Sequence, residues 1–231
     1  MKTIGIIGGT SPESTVYYYQ YITREYTARF GDHGYPPIII YSVTFQNYLD
    51  WGMGGDWKAI EDDLVEKITA LQHAGAHFAI IATNTLHYVY GGVVLRVQIP
   101  VLSLVDAVCE HGRTLGVEKL GLLGTKFTMN KEFYKNALAN VGIETLVPDR
   151  KEAQIVQDII FKELTNGIIK SESKDKLLDI IKGLEDRGAA GVILGCTELP
   201  LLIKREDLEI HVLDTSQIHA KAAFEYAMES L

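Results

Sequence analysis

The sequence has few cysteines, which limits how the fold can be held together. Cys109 and Cys196 are its only two, and they form neither a disulfide framework nor a CxxC pair. A chain without disulfides suits a reducing compartment. We therefore expect Cys196 to be a free thiol. Cys109 lies within a predicted helix beside Val105 and Val108, so we expect it to be a packing residue.

Positive charge is also scarce. The 22 lysines and arginines are outnumbered by 30 aspartates and glutamates, which gives a net charge of −8 at pH 7. A chain of this sign lacks the basic surface that binds nucleic acids or anionic membranes. We expect no nucleic-acid partner, and local hydrogen-bond donors must hold any acidic ligand.

Long apolar runs and metal-ligand motifs are missing as well. No stretch approaches the roughly 20 apolar residues of a membrane span, so we expect no membrane partner. Residues 1–3 lead directly into an apolar segment and leave no room for a secretory signal peptide, which favours a cytoplasmic protein. No set of His, Cys, Asp or Glu has ligand spacing, so we expect no metal site.

What the sequence does contain is a short aliphatic run over residues 191–195, followed by Cys196, Thr197 and Glu198. Such a run predicts a strand that is buried on both faces. Open α/β sheets keep their chemistry at the carboxyl ends of the strands. Cys196 is therefore the first candidate for a reactive group.

A degenerate second copy of this unit lies earlier in the chain. Residues 75–84 align without a gap on residues 188–197, so that Gly75 matches Gly188 and Thr83 matches Cys196. Upstream, residues 4–10 resemble residues 120–126. The repeat predicts two similar α/β halves, each presenting one strand end. If the halves face each other, Thr83 and Cys196 flank one cleft.

The turn after the first strand, over residues 8–15, has the sequence GGTSPEST. Its glycines permit close backbone approach, and its hydroxyls and free helix N–H groups can hold an anionic oxygen. The turn does not match GxGxxG, which disfavours a dinucleotide. We expect Gly9, Thr10 and Ser11 to bind a small carboxylate; the alternative is a tight strand–helix connection without a ligand.

The strand end at Cys196 predicts acid–base chemistry. Free N–H groups of a following helix favour the anion, so we expect thiolate character at Cys196. No histidine is adjacent in sequence, but His87 and His219 each follow a strand end. Each histidine has either a role in the site or a packing and capping role. Glu198 either orients a substrate ammonium group or is a helix N-terminal carboxylate.

Polar side chains at both strand ends can bind a small polar molecule through hydrogen bonds. They are Thr83, Asn84, Thr85 and Thr197.

Two aromatic segments have open interpretations. A helix predicted over residues 14–29 carries tyrosines on more than one face, which favours contact with another domain or subunit. Residues 44–57 combine glycines with Trp51 and Trp57 and read as a loop. This loop is either a mobile cover over the cleft or a static loop held by its aromatic side chains.

Several of these stretches together resemble the aspartate/glutamate racemase family, in the family's order and over nearly the whole chain. They are GCTE at 195–198, TNTLH at 83–87, GGTSPEST at 8–15, GTKFTM at 124–129 and DTSQIHA at 214–220. The resemblance implies two pseudo-symmetric three-layer α/β/α domains with mainly parallel sheets and the active site in the cleft between them. We expect the first domain over 1–99, completed by 209–231, and the second over 100–208.

The resemblance also implies racemisation without pyridoxal phosphate, in which one cysteine removes the α-proton and a second reprotonates the other face. This sequence departs from that pattern because position 83 is threonine, as in a branch of the family. We therefore expect Cys196 to be the base, and Thr83 to relay a proton or hold the water that does. Lys126 and Lys162 are candidates for reading a side-chain carboxylate, or else are solvated surface lysines.

The sequence thus predicts a cofactor-independent racemase of an amino acid, aspartate or glutamate, that forms a homodimer. One alternative is another single-cysteine reaction of the wider superfamily: a malonate-type decarboxylase, or a maleate or hydantoin isomerase or racemase. A further alternative is a small-molecule binding protein that has lost turnover.

Overall fold

A computed structural model describes residues 1–229. It divides the chain into two compact units: unit 1 comprises Met1–Ala107 and the segment from Ser216 onward, and unit 2 comprises Val108–Thr215. The chain passes between the units twice. The sequence placed these boundaries earlier, at 99/100 and 208/209. They fall later because the strand at 101–102 pairs within the first sheet and the strand at 211–214 pairs within the second.

Unit 1 is built on a four-stranded parallel sheet. Its strands are β1 (Ile4–Gly8), β2 (Ile38–Ser42), β3 (Phe78–Ile81) and β4 (Val101–Leu102). Their order in the sheet is β2-β1-β3-β4. β1 and β3 are buried along their whole length, which agrees with their aliphatic sequences.

Unit 2 is built on a second four-stranded parallel sheet. Its strands are β5 (Lys119–Gly124), β6 (Glu144–Leu146), β7 (Gly191–Gly195) and β8 (His211–Asp214). They are ordered β6-β5-β7-β8, the same order as in unit 1. The two sheets confirm the pseudo-symmetric pair of α/β domains predicted from the internal repeat.

Helices connect the strands. In chain order they are α1 (Pro12–Phe30), α2 (Phe45–Gly54), α3 (Trp57–His73), α4 (Tyr90–Val94), α5 (Leu104–Leu115), α6 (Lys126–Asn130), α7 (Glu132–Asn140), α8 (Arg150–Lys162), α9 (Ser171–Asp186) and α10 (Thr215–Met228). Short 3-10 turns lie at Thr85–Val89, Leu164–Asn166, Leu199–Leu201 and Arg205–Asp207. None of the helices within residues 1–229 combines the length and apolar character needed to cross a membrane.

Separate cores cover the two faces of the first sheet. On one face α1 and α10 pack against the strands through Tyr18, Ile22 and Phe224. On the other face α3 buries Ile60 and Leu64 among its helically spaced apolar residues. Unit 1 is therefore a three-layer α/β/α sandwich.

The second sheet is also covered by helices with one apolar face. α8 and α9 both contact β5 and bury stripes of aliphatic residues. Asp149 begins α8 with a capping box, accepting hydrogen bonds from the N–H groups of Lys151 and Glu152. These local signals agree with the amphipathic pattern of the sequence.

Most of the segment over 44–57 is helical, since α2 covers Phe45–Gly54 and α3 begins at Trp57, so its expected description as a loop was wrong. Phe45, Tyr48 and Trp51 recur at a spacing of three and form one face of α2. Tyr48 is buried, and its hydroxyl donates to an Asp63 carboxylate oxygen at 2.5 Å. Gly55, at φ +74°, ends the helix in the left-handed region. The aromatic residues therefore hold this segment on α3.

Candidate active site

The turn after β1 is fixed by short-range hydrogen bonds. Gly9 has φ +90°, and a Cβ there would lie 2.6 Å from the backbone N and O of Val43. Its N–H donates to Thr15 Oγ1 at 2.9 Å. Ser11 is the N-cap of α1, and its Oγ accepts from Ser14 N at 3.2 Å. A glycine is required here because a side chain would clash with the backbone of Val43, the residue that follows β2.

Thr10 lies between these two residues and is buried. Its side chain is 8% exposed, and Oγ1 has no hydrogen-bond partner anywhere in residues 1–229. A buried hydroxyl without a partner costs free energy, so it is a position where a ligand oxygen would be favoured. It lies at the start of the 19-residue α1, and the positive end of the helix dipole also favours an anion there.

The end of β3 lies beside this turn. β1 and β3 are neighbours, and Ser14 Oγ donates to the carbonyl of Ala82 at 3.0 Å. Thr83 follows and is half-buried, and Asn84 is buried before the 3-10 turn that starts at Thr85. The predicted residues of unit 1 therefore follow two neighbouring strands: Gly9, Thr10 and Ser11 come after β1, and Thr83, Asn84 and Thr85 come after β3.

His87 uses both ring nitrogens within unit 1. Nδ1 donates to the carbonyl of Thr83 at 2.8 Å, and Nε2 accepts from the N–H of Leu104 at 2.9 Å. The Tyr90 ring stacks on the imidazole at 5.7 Å between centroids. Burial lowers the pKa of His87 to about 4, so the ring is neutral at pH 7. These contacts tie the strand end at Thr83 to the start of α5.

His219 is a second buried, neutral histidine of unit 1. Its Nε2 donates to the carbonyl of Leu102 at 3.1 Å, and its Nδ1 accepts from the Tyr18 hydroxyl at 2.9 Å. Burial, and then the nearby His87, lower the pKa of His219 to about 3. The two rings lie 6.0 Å apart, edge to face. Neither imidazole has a nitrogen left for a proton transfer; both occupy the packing and hydrogen-bonding role.

At the end of β7, Cys196 and Glu198 form a buried pair. Cys196 is 9% exposed and Glu198 is 6% exposed. The thiol donates to Glu198 Oε2 at 3.0 Å, and the Thr197 hydroxyl donates to the same oxygen at 2.9 Å. The three predicted residues of unit 2 are therefore joined by side-chain hydrogen bonds.

The thiolate character expected at Cys196 is not present in this structure. Burial, and then the charge and hydrogen bond of Glu198, raise the pKa of the Cys196 thiol, although the N–H groups of Thr197 and Glu198 oppose the shift. The sequence predicted the backbone donors correctly. It missed the opposing carboxylate because only the fold shows that Glu198 turns back onto the sulfur.

Both candidate lysines are associated with α8: Lys162 is part of this helix, and Lys126 contacts it. Lys126 Nζ donates to Gln154, and Lys162 Nζ pairs with Asp158 at 3.1 Å with 72% of its side chain exposed. These contacts agree with the solvated-surface interpretation of both side chains. Among the described residues no group of three or more His, Cys, Asp or Glu is arranged to hold a metal ion.

Sequence reasoning missed Tyr18 and Ser14 as residues that support the site. Tyr18 lies at helical spacing with Ile22 and Tyr26, all buried, which is the signal that this tyrosine faces the core. Ser14 stands in the first turn of a helix, where a hydroxyl commonly caps its own backbone. Its bond to Ala82 on another strand has no local signal.

Comparisons with known proteins agree with the fold and the motifs. The family model described as Asp/Glu/Hydantoin racemase matches residues 7–223. The crystal structure of a candidate Asp/Glu racemase from Yersinia pestis is 39% identical, with a TM-score of 0.93 over 99% of this chain and 100% of that one. An aspartate racemase homologue from Pyrococcus horikoshii OT3 is 42% identical, with a TM-score of 0.87 over 99% and 100%.

A curated relative points the same way. Glutamate racemase from Aquifex aeolicus (strain VF5) is 28% identical over 158 residues, which are 66% of this chain and 59% of that protein. Membership of a racemase family supports an isomerase that acts on a small-molecule substrate. With its two matching sheets, the strand-end motifs and a family match over residues 7–223, this chain belongs to the Asp/Glu/Hydantoin racemase family.

Proposed function

We propose that this protein is a cofactor-independent racemase of an acidic amino acid, aspartate or glutamate. The observation that carries the proposal is the equivalent placement of Thr83 and Cys196. Each follows the third strand of a sheet with the same strand order, one in each unit. The relatives named as aspartate or glutamate racemases support the substrate class.

In the proposed reaction Cys196 removes the α-proton. The thiolate takes the proton from one face of the α-carbon, which becomes a planar carbanion, and the sulfur becomes a thiol. A proton then reaches the opposite face from the Thr83 hydroxyl or from a water that it holds. Threonine is too weak an acid to start as the base, so the reverse direction requires a hydroxide or alkoxide on that side.

The proposed contacts to the substrate come from the residues at the strand ends of the two units. The turn at Gly9, Thr10 and Ser11 is proposed to hold the α-carboxylate, because it offers the positive end of the α1 dipole and a buried hydroxyl that has no partner in residues 1–229. Glu198 is proposed to hold the ammonium group. Further hydrogen bonds to the substrate come from Asn84, Thr85 and Thr197.

The histidines are proposed to position the site without reacting. His87 fixes the Thr83 carbonyl and the start of α5, and His219 fixes the end of β4. Since both rings are buried and neutral, their contribution is to hold the backbone that presents Thr83.

The unequal strand ends predict unequal kinetics. One enantiomer gives its proton to a cysteine, whereas the other must give its proton to a group on the Thr83 side. The two enantiomers have the same free energy in solution, so the equilibrium mixture stays racemic and kcat/KM is equal in the two directions. The preference therefore appears in kcat and KM of the two enantiomers, not in the final ratio.

The test is a panel of single-enantiomer substrates followed by chiral chromatography. L- and D-aspartate and L- and D-glutamate should racemise without added cofactor, whereas alanine, an arylmalonate, maleate and a hydantoin should be unchanged or much slower. Turnover of one of the latter compounds alone would replace the proposed substrate. Binding of an acidic amino acid without racemisation would instead indicate a binding protein.

A further inference from the structure

The pair formed by Cys196 and Glu198 raises a question that the proposed reaction leaves open. The reaction starts from a thiolate, yet the structure holds the sulfur as a thiol that donates to Glu198 Oε2 at 3.0 Å. Both side chains are more than nine-tenths buried. Something must change at Glu198 before the sulfur can act as a base.

Electrostatics identify what that change is. A carboxylate held against a buried sulfur disfavours a second negative charge, because Coulomb interactions are strong where water is excluded. Burial is the largest cause of the raised pKa of Cys196, and the Glu198 charge and hydrogen bond follow. The charge is the part that a ligand can cancel, since a cation bound to the carboxylate removes its repulsion.

One oxygen of the Glu198 carboxylate is not used by the hydrogen bonds of this pair. The hydrogen bonds from Cys196 and Thr197 both go to Oε2, and within residues 1–229 no donor contacts Oε1. No salt bridge of the described chain includes Glu198, so its charge is not already neutralised by a lysine or arginine. An ammonium group is the cation that an amino-acid substrate would bring.

We propose that Glu198 keeps Cys196 in its unreactive thiol form until the ammonium group of a substrate pairs with the same carboxylate. On binding, the substrate ammonium takes the place of the thiol proton beside the Glu198 carboxylate. The S–H bond breaks, the sulfur keeps the electron pair, and the proton passes to solvent water. The Thr197 and Glu198 N–H groups, which already favour the anion, stabilise the thiolate that forms. This inference rests on the proposed function and adds a determinant of specificity, for amino acids over acids that lack the ammonium group.

The first test uses the ligand-free protein in a Cys109→Ala background, so that Cys196 is the single thiol. Glu198→Gln keeps the side-chain shape and removes the charge, and should raise the rate of iodoacetamide alkylation at pH 7 at least about tenfold. Thr197→Val is the matched control: it removes the other donor to Oε2 without changing charge, and should alter the rate about twofold or less. An unchanged rate in Glu198→Gln, with circular dichroism showing a folded protein, would overturn the proposal.

The second test uses two ligands without an α-proton. 2-Methylaspartate carries the ammonium group and both carboxylates, and 2,2-dimethylsuccinate replaces the ammonium with a methyl group. Only 2-methylaspartate should increase the ultraviolet absorbance of the thiolate and release a proton, measured by calorimetry in buffers of different ionisation enthalpy. Equal responses to the two ligands, or none to 2-methylaspartate, would contradict the proposal.

The two proposals fail separately. A protein whose thiol responds to the ammonium ligand but racemises none of the four acidic amino acids retains this inference and loses the proposed function. A racemase in which Glu198→Gln leaves the reactivity of the thiol unaltered retains the proposed function and loses this inference. If Glu198 acts as inferred, Glu198→Gln raises KM for the amino acid at least about tenfold, because the ammonium loses its partner.

Discussion

The strand ends at Thr83 and Cys196 occupy equivalent places in two sheets of the same order, but they are built in opposite ways. At Thr83 the backbone is held: His87 binds its carbonyl, and the side chain is half-buried. At Cys196 the side chain is held: Glu198 binds the thiol, and the sulfur is buried. The comparison teaches that a repeated fold can fix the backbone at one strand end and the side chain at the other.

The turns that precede these ends differ in the same sense. In unit 1 Gly9 adopts φ +90° and lies against the backbone of Val43, which follows β2, so no side chain fits there. In unit 2 the equivalent residue is Thr125, an extended N-cap whose Oγ1 accepts from Thr128 N at 3.2 Å. Both turns carry a side-chain N-cap, Ser11 in unit 1 and Thr125 in unit 2, but the turn of unit 1 also requires a glycine against a neighbouring strand.

The largest expected effect on the rate of racemisation comes from removing the thiol at the strand end of unit 2. Cys196→Ala should lower racemisation of acidic amino acids by at least about 10³-fold, because the base is removed. Thr83→Ala should lower it less, by about 10- to 100-fold, since water can enter in place of the hydroxyl. Cys109→Ala is the control and should retain near-wild-type rates. A larger loss in Thr83→Ala than in Cys196→Ala would reverse the assignment of roles.

Acid should destabilise unit 1 more than unit 2. His87 and His219 have folded pKa values of about 4 and about 3, below the ordinary 6.5, so between these values the unfolded chain binds more protons than the folded one. Their stabilisation is complete above pH 6.5 and is lost as the pH falls towards 4, by about 1.4 kcal/mol per pH unit for each histidine.

Hydrogen exchange measured at pH 7 and pH 5 would test this. Amides of unit 1 should lose protection on acidification more than those of unit 2, whose position equivalent to His87 is Pro200. His87→Gln should reduce the pH dependence of the unfolding free energy, because one of the two titrating groups is gone. Equal loss of protection in both units would count against the assignment.

Substitutions in the two turns should lower the free energy of unfolding by different amounts. Gly9→Ala should destabilise the protein by about 2–4 kcal/mol, because a Cβ there combines an unfavourable φ with backbone contacts at 2.6 Å. Thr125→Ala should cost about 1 kcal/mol, the usual value of a lost N-cap. Urea denaturation of both variants gives the two values. Similar costs would show that the turn of unit 1 is not constrained in the way the structure indicates.

The smallest expected effect sharpens the comparison by making the two strand ends alike. Thr83→Cys supplies a second thiol, so the ratio of kcat for the two enantiomers should move towards one by about tenfold. Thr83→Ser keeps a hydroxyl and is the matched control, with little change in that ratio. The measurement is initial rates from each pure enantiomer over a range of concentrations.

Much of the fold could be predicted from local sequence. The aliphatic runs gave β1, β5 and β7, and the internal repeat gave the matching halves, because strand burial leaves a direct trace in composition. α2 was missed because its glycines suggested a loop, whereas the spacing of Phe45, Tyr48 and Trp51 decides the structure. The domain boundaries were placed too early because strand pairing across long separations has no local signal.

The candidate site was predictable as a set of residues but not as a set of contacts. The motifs identified Cys196, Glu198 and His87, yet the partner of each is set by tertiary packing. The bonds from His87 to Thr83 and Leu104, and the return of Glu198 onto the sulfur, follow from the fold alone. The homodimer and the cytoplasmic location stay predictions.

The most direct test of the central claim is exchange of the α-proton with solvent. Proton NMR in deuterated buffer would follow L- and D-aspartate and L- and D-glutamate with the wild type and with Cys196→Ala. We predict, for at least one of the two amino acids with the wild type, loss of the α-proton signal and appearance of the antipode in chiral chromatography of the same samples, and neither with Cys196→Ala. Exchange that survives Cys196→Ala, or no exchange with any of the four substrates, would contradict the account.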